Sequence, residues 1–319
     1  MNLDYIYMLI FIMVIGFFYR RFLDKYDNEE LQNYEKIKKY LLNDSSIAKS
    51  KKPILWIHIP YELNSRSWES FYSRTSTNLN LPFINLCIQS IIDKCGKSFK
   101  ICLIDDKSFN NLIPGWNVDL NRVGSPIKEK IRYLAFLKLL HNYGGLLVPK
   151  SFLCLENLID THNNSLINHD SYIFENISKI HTNNNLSFFP DPKFMGCSKN
   201  SETIEAYIRD VEVLISNDQT DESYFLGELN KYCFKYVNSN DMKLIDGKII
   251  GIKDKDNNPI LIETLFSKNY NNFCRKMIGV YIDDSELLKR THYNWFCNLS
   301  KEDVINCDNT IGDLFRLCV

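Results

Sequence analysis

HNYGGLLVPKSFLCLENL, residues 141–158, is the stretch on which the reading of this chain turns. Gly144 and Gly145 close a long amphipathic run, SPIKEKIRYLAFLKLLHNY, that has Pro126 near its start. Proline just inside a helix and glycine just past its end are ordinary start and stop signals, so a helix is predicted up to Tyr143. Leu146-Leu147-Val148 then begins an apolar segment, LLVPKSFLCL, predicted as a third strand whose carboxyl end is set at Pro149-Lys150-Ser151.

Working outward, PILWIHIP (53–60) reads as a short strand rich in β-branched residues and bounded by prolines. Residues 62–80 are polar and loop-like. PFINLCIQSIIDKC (82–95) sets Phe83, Leu86, Ile88, Ile91 and Ile92 roughly on one helical face and stops at Gly96. FKICLIDD (99–106) is a second apolar strand ending in Asp105-Asp106. The order strand–helix–strand–helix–strand predicts an α/β fold with a mainly parallel, buried sheet flanked by helices. Sites in such folds lie beyond the carboxyl ends of the strands, here Pro60-Tyr61, Asp105-Asp106 and Pro149-Lys150-Ser151.

After residue 160 the pattern weakens. SYIFENI reads as a strand, FFPDPKFMGCSKN follows without an assignment, and SETIEAYIRDVEVLI reads as a helix capped by Asn200 or Ser201. Residues 222–235 look helical, KLIDGKIIGIKDKDNNPILIETLF reads as a hairpin or small meander, and Ser300 is the expected cap of a final helix. Asp254-x-Asp256-x-Asn258 opens like a calcium loop. Pro259 holds its glycine position and Leu265 stands where a glutamate is needed, so a solvated turn is expected.

The chain has 319 residues, 45% of them apolar, with 38 basic against 39 acidic side chains and a net charge of −1. No basic stripe interleaved with aromatics appears, which speaks against nucleic-acid binding. The ten cysteines are scattered singly, without CxxC pairs, and are expected as reduced thiols and not as zinc ligands. Residues 5–19, YIYMLIFIMVIGFFY, are apolar apart from their tyrosines, with Arg20-Arg21 behind them. Extended by neighbouring apolar residues, they predict an uncleaved single-pass membrane anchor over 1–23 in contact with the lipid bilayer. A juxtamembrane helix or tether over 24–52 and a domain over 53–319 follow. The positive-inside rule places that domain on the cytosolic side of the membrane.

In order along the chain, LWIHIP, LPFINLCIQSIIDKCGKSFKICLIDDKSFNNLIP and IRYLAFLKLLHNYGGLLVPKSFLCLENL resemble glycosyltransferases of the capsular-polysaccharide type with the GT-A fold. The chain is also similar to membrane-anchored GT-A-related proteins of large DNA viruses. The resemblance covers roughly residues 53–300 and is weaker in FMGCSKNSETIEAYI and HYNW. It implies a GT-A-like domain that takes a nucleotide-sugar donor.

The family carries Asp-x-Asp after the glycines, because carboxylates at i and i+2 project to one side of a strand and can hold a Mn²⁺ or Mg²⁺ that neutralises a diphosphate. Pro149 and Ser151 stand there instead, so no metal is expected. The catalytic candidates are Lys150, whose charge could replace the metal's, Arg132 on the helix before the glycines, and His292. The ligand-binding candidates are His58, Asp105, Asp106, Ser151 and Trp295. Each has a plainer reading: core histidine for His58, helix cap for Asp105-Asp106, surface charge for Arg132 and Lys150, structural packing for His292 and Trp295. Two functions follow: a membrane-anchored glycosyltransferase working without the metal pair, or a non-catalytic GT-A-like structural or interaction protein of a large DNA virus.

Overall fold

The computed structural model describes residues 52–59, 81–125, 127–177, 188–216, 222–268, 272–290 and 292–318. The expected membrane anchor, the tether up to residue 51, the loop at 62–80 and the strand end at Pro60-Tyr61 lie outside these. No helix among the described residues is long and apolar enough to cross a membrane.

The glycines of the opening stretch act as predicted. The helix α3 (Ile127–Tyr143) stops where Gly144 takes φ +69° and Gly145 φ +104°. The chain thereby turns straight into β3 (Gly145–Leu147), which pairs in parallel with β1 (Ile54–His58). On its other side β1 pairs in parallel with β2 (Lys100–Ile104), with Trp56 opposite Cys102. The helix α1 (Pro82–Cys95) joins β1 to β2, and the short helix α2 (Ser108–Leu112) follows β2. The aromatic of the Tyr143-Gly144-Gly145 motif serves packing. Its ring lies 5.8 Å from that of Trp56, its hydroxyl donates to Leu112 O at 2.8 Å, and the Trp56 indole donates to Gly144 O at 3.0 Å.

The helix α4 (Ile159–Ser165) precedes β5 (Ser171–Ile177), which pairs with β6 (Phe188–Cys197). Two helices, α5 (Glu202–Ser216) and α6 (Glu222–Asn238), lead to β7 (Lys243–Ile245). The six-stranded sheet runs β2-β1-β3-β6-β5-β7. Its β2-β1-β3 half is parallel, β6 runs antiparallel to both β3 and β5, and β7 is parallel to β5. The Ser201 hydroxyl accepts from Ile204 N at 3.1 Å, which makes it the cap of α5.

Three expectations change. LLVPKSFLCL is two strands, not one. After β3 the chain turns through Val148–Ser151 and re-emerges as β4 (Phe152–Cys154), which leaves the main sheet to pair antiparallel with β8 (Gly279–Tyr281). The segment 243–266 is no hairpin. Its β7 extends the main sheet alongside β5, only the single bridge Lys253–Pro259 remains of a ladder, and the helix α7 (Ile262–Leu265) ends it. Ser300 caps α9 (Lys301–Ile305), which follows α8 (Asp284–Lys289). The last helix is α10 (Thr310–Arg316), capped by Asn309. The turn at Asp254 is as expected, its carboxylate accepting from the backbone of Asp256 and Asn258.

On α4, His162 is buried edge-on to Phe99, with Nδ1 2.7 Å from the hydroxyl of Tyr172 on β5. Burial pushes its pKa down to about 4. The unfolded chain takes up this proton near pH 6.5 while the folded chain resists it. Its contribution is therefore complete above pH 6.5 and lost as pH falls towards 4, by up to about 3 kcal/mol. Urea unfolding of the full chain between pH 7 and 4 should show this loss, and His162→Gln should reduce the slope. An unchanged slope would place the acid sensitivity elsewhere.

Candidate functional site

The strand order β2-β1-β3 means that the chain leaves β1 first to one side and later to the other. Beyond the carboxyl ends of strands that part in this way lies the crevice where α/β sheets bind ligands. Four of the sequence candidates reach it. His58 ends β1, Asp106 follows β2, Arg132 projects from the second turn of α3, and Lys150 sits in the turn after β3.

Asp106 is the centre of a charged triad. Arg132 donates to both its oxygens, Nε to Oδ1 at 2.8 Å and a terminal nitrogen to Oδ2 at 2.7 Å, a two-pronged fit that only a guanidinium makes. His58 Nε2 donates to Oδ1 at 2.9 Å, since a carboxylate can only accept. The side chains of His58, Asp106 and Arg132 are 10%, 15% and 13% exposed. Burial alone would raise the Asp106 pKa, but the hydrogen bonds and charges of His58 and Arg132 outweigh it and hold the carboxyl well below the usual range. Burial lowers His58, Arg132 and Lys150 push the same way, and Asp106 only partly offsets them, so the imidazole is held neutral. The ring is fixed between Phe109, stacked at 5.8 Å, and Phe136, edge-on at 5.0 Å.

The neighbouring Asp105 does something different. Its carboxylate accepts from the Ser108 backbone at 2.8 Å and from the Ser108 hydroxyl, closing the turn into α2. The two aspartates that end β2 thus divide the roles that the sequence left open for the pair.

Lys150 does not stand alone. Its ammonium lies 3.0 Å from Asp284 Oδ2, and the Ser151 hydroxyl is 3.5 Å from Asp284 Oδ1. Ser151 is buried, and its carbonyl accepts from Ile282 N, so β8 and the start of α8 are stitched to the turn. Beside them Lys193 is exposed on β6. Desolvation lowers its pKa, but Asp191, Asp283, Asp284 and Glu129 more than offset this and raise it. Asp284 was absent from the sequence reading. Asp283-Asp284-Ser285-Glu286 is legible as a helix start, and Asp283 does cap α8 by accepting from Ser285 N and Glu286 N. Nothing local signals that the next residue reaches Lys150, 134 positions upstream by subtraction of the two residue numbers.

The donor set does not suit a divalent cation. The Pro149 side chain has no ligand atom, Ser151 offers a buried neutral hydroxyl, and Asp284, the carboxylate beside it, already holds an ammonium. Among the described residues no group of three or more His, Cys, Asp or Glu side chains is arranged to hold a metal.

His292 and Trp295 are not brought into this group by any described contact. His292 meets Tyr293 edge-on at 4.9 Å, and Trp295, 42% exposed, lies against Phe266 and Phe296. Phe296 is the buried member, surrounded by Phe83, Phe266 and Phe315.

No protein-family model matches the chain, and no curated protein is significantly similar to it.

Proposed function

We propose that the domain is a GT-A-like glycosyltransferase-type module that binds a nucleotide-linked sugar with Lys150 in place of the metal pair, carried on a membrane anchor at residues 5–19 with the domain on the cytosolic side. The observation that carries this reading is the position of Lys150. A single cation occupies the turn at the parting of β1 and β3, near enough to His58 to act on its charge as Arg132 does. Its partner Asp284 is one carboxylate in a partly exposed pair, which a diphosphate could displace with more acceptor oxygens. Lys150 would then stabilise the negative charge that develops on a departing nucleoside diphosphate. Arg132, locked in two hydrogen bonds to Asp106, would contribute field and shape, and the neutral His58 would keep Asp106 in place.

A second reading is favoured by the same contacts. Arg132 and Lys150 each already face a carboxylate, so the crevice neutralises itself, as expected of a non-catalytic GT-A-like structural or interaction protein. Binding of a nucleoside diphosphate to the purified full-length chain separates the two. Losing a charge-assisted contact is worth about 1.5–3 kcal/mol, so Lys150→Ala should weaken binding roughly 10- to 100-fold. Ser151→Ala should change it less than about twofold, since that hydroxyl is buried against Asp284. Equal affinities for wild type and Lys150→Ala would favour the non-catalytic reading.

A further inference from the structure

All ten cysteines are free, and two of them face each other across the core. Cys95 closes α1, Cys154 closes β4, and their sulfurs lie 3.9 Å apart although the residues are 59 positions apart in sequence. Both are fully buried. The backbone on each side is fixed: Cys154 N donates to the Ser90 hydroxyl at 2.9 Å, and Phe99 N bonds to Cys95 O at 2.8 Å. The Cys154 thiol has Glu156 O at 3.0 Å as a second acceptor. A third thiol, Cys318, is half-buried near the end of the chain and donates to Cys154 O at 3.5 Å.

We propose that Cys95 and Cys154 are an oxidisable dithiol that closes into a disulfide under peroxide and ties α1 to the strand immediately following the Lys150 turn. The step balances with hydrogen peroxide as oxidant. The Cys95 thiolate attacks one peroxide oxygen, the O–O bond breaks, and hydroxide leaves with a sulfenic acid formed at Cys95. The Cys154 sulfur then attacks Cys95, its proton joins the departing hydroxyl as water, and the S–S bond forms. Two thiols and one peroxide yield one disulfide and two waters. Cys95 is assigned as the attacking sulfur because the hydrogen bond from Cys154 stabilises its thiolate against burial, whereas Cys154 is pushed far up. Only about 2 Å of approach is needed to reach S–S bonding distance. In a reducing compartment a bond of this kind would be transient and redox-sensing and not structural.

The test treats the purified full-length chain with hydrogen peroxide, blocks remaining thiols in denaturant and maps peptides by mass spectrometry with and without dithiothreitol. The expected result is a Cys95–Cys154 cross-linked peptide that dithiothreitol removes, with Tm raised by roughly 5 °C or more for a loop of this size. Cys102, also free and buried, should stay alkylatable, and Cys318→Ser should leave the cross-link intact. Cys95 and Cys154 alkylated as fully as in the reduced sample would overturn the proposal, as would a Cys154 cross-link to Cys318 in place of Cys95.

Discussion

Replacing Gly145 by alanine is expected to abolish the folded domain. Gly145 sits at φ +104°, where L-residues are strained, and an added Cβ would fall 2.1 Å from Ile54 O and 2.9 Å from Ile54 C. Those atoms are backbone at the start of β1 and cannot rotate away. The alanine must push β3 off β1 in the middle of the main sheet, and the Trp56 bond to Gly144 O with it. Strain and lost pairing together reach about 4 kcal/mol or more, comparable to the whole stability of many domains. Circular dichroism should show no cooperative melt near the wild-type Tm. Gly124→Ala is the control, since a Cβ there meets nothing within 4 Å and should change little.

Asp106→Ala is expected to destabilise the domain by about 3–5 kcal/mol, because it removes the carboxylate that takes both hydrogen bonds of the nearly buried Arg132 and the one from His58. For a domain of this size that is a fall in Tm of roughly 6–20 °C. A second change, Arg132→Met, should recover part of the loss by removing the charge that Asp106 balances, and a double-mutant cycle measures how much. Asp105→Ala, one residue away, removes only a turn-capping carboxylate and should cost about 1 kcal/mol. Equal losses at the two positions would refute the division of roles drawn here.

These two cases show what could be read from the chain and what could not. The parallel half of the sheet was legible because β1, β2 and β3 are short apolar runs separated by amphipathic helices, and because the glycines after Tyr143 can take the positive φ that ends a helix and turns the chain into the next strand. The break after β3 was not. Apolar residues on both sides of Pro149-Lys150-Ser151 look like one strand, and only the distant β8 draws β4 out of the main sheet. The strand β6 was hidden by Pro190 and Pro192, which argue against a central strand. The structure accommodates them through a register shift that takes the ladder from Met195 directly to Asp191, and through the lack of a β3 partner opposite Pro190. At the site, the types of His58, Asp106, Arg132 and Lys150 and their places at strand ends were visible. Their pairing was not, because Asp106 with Arg132 and Lys150 with Asp284 are meetings of separate elements.

The most direct test of the central claim is isothermal titration of the full-length chain with nucleoside diphosphates and nucleotide sugars, in Mn²⁺ and again in excess chelator. The claim that Lys150 serves where a metal pair is missing predicts saturable binding of the same affinity in both conditions, weakened in Lys150→Ala. Binding that requires Mn²⁺, or no binding in either condition, would contradict it.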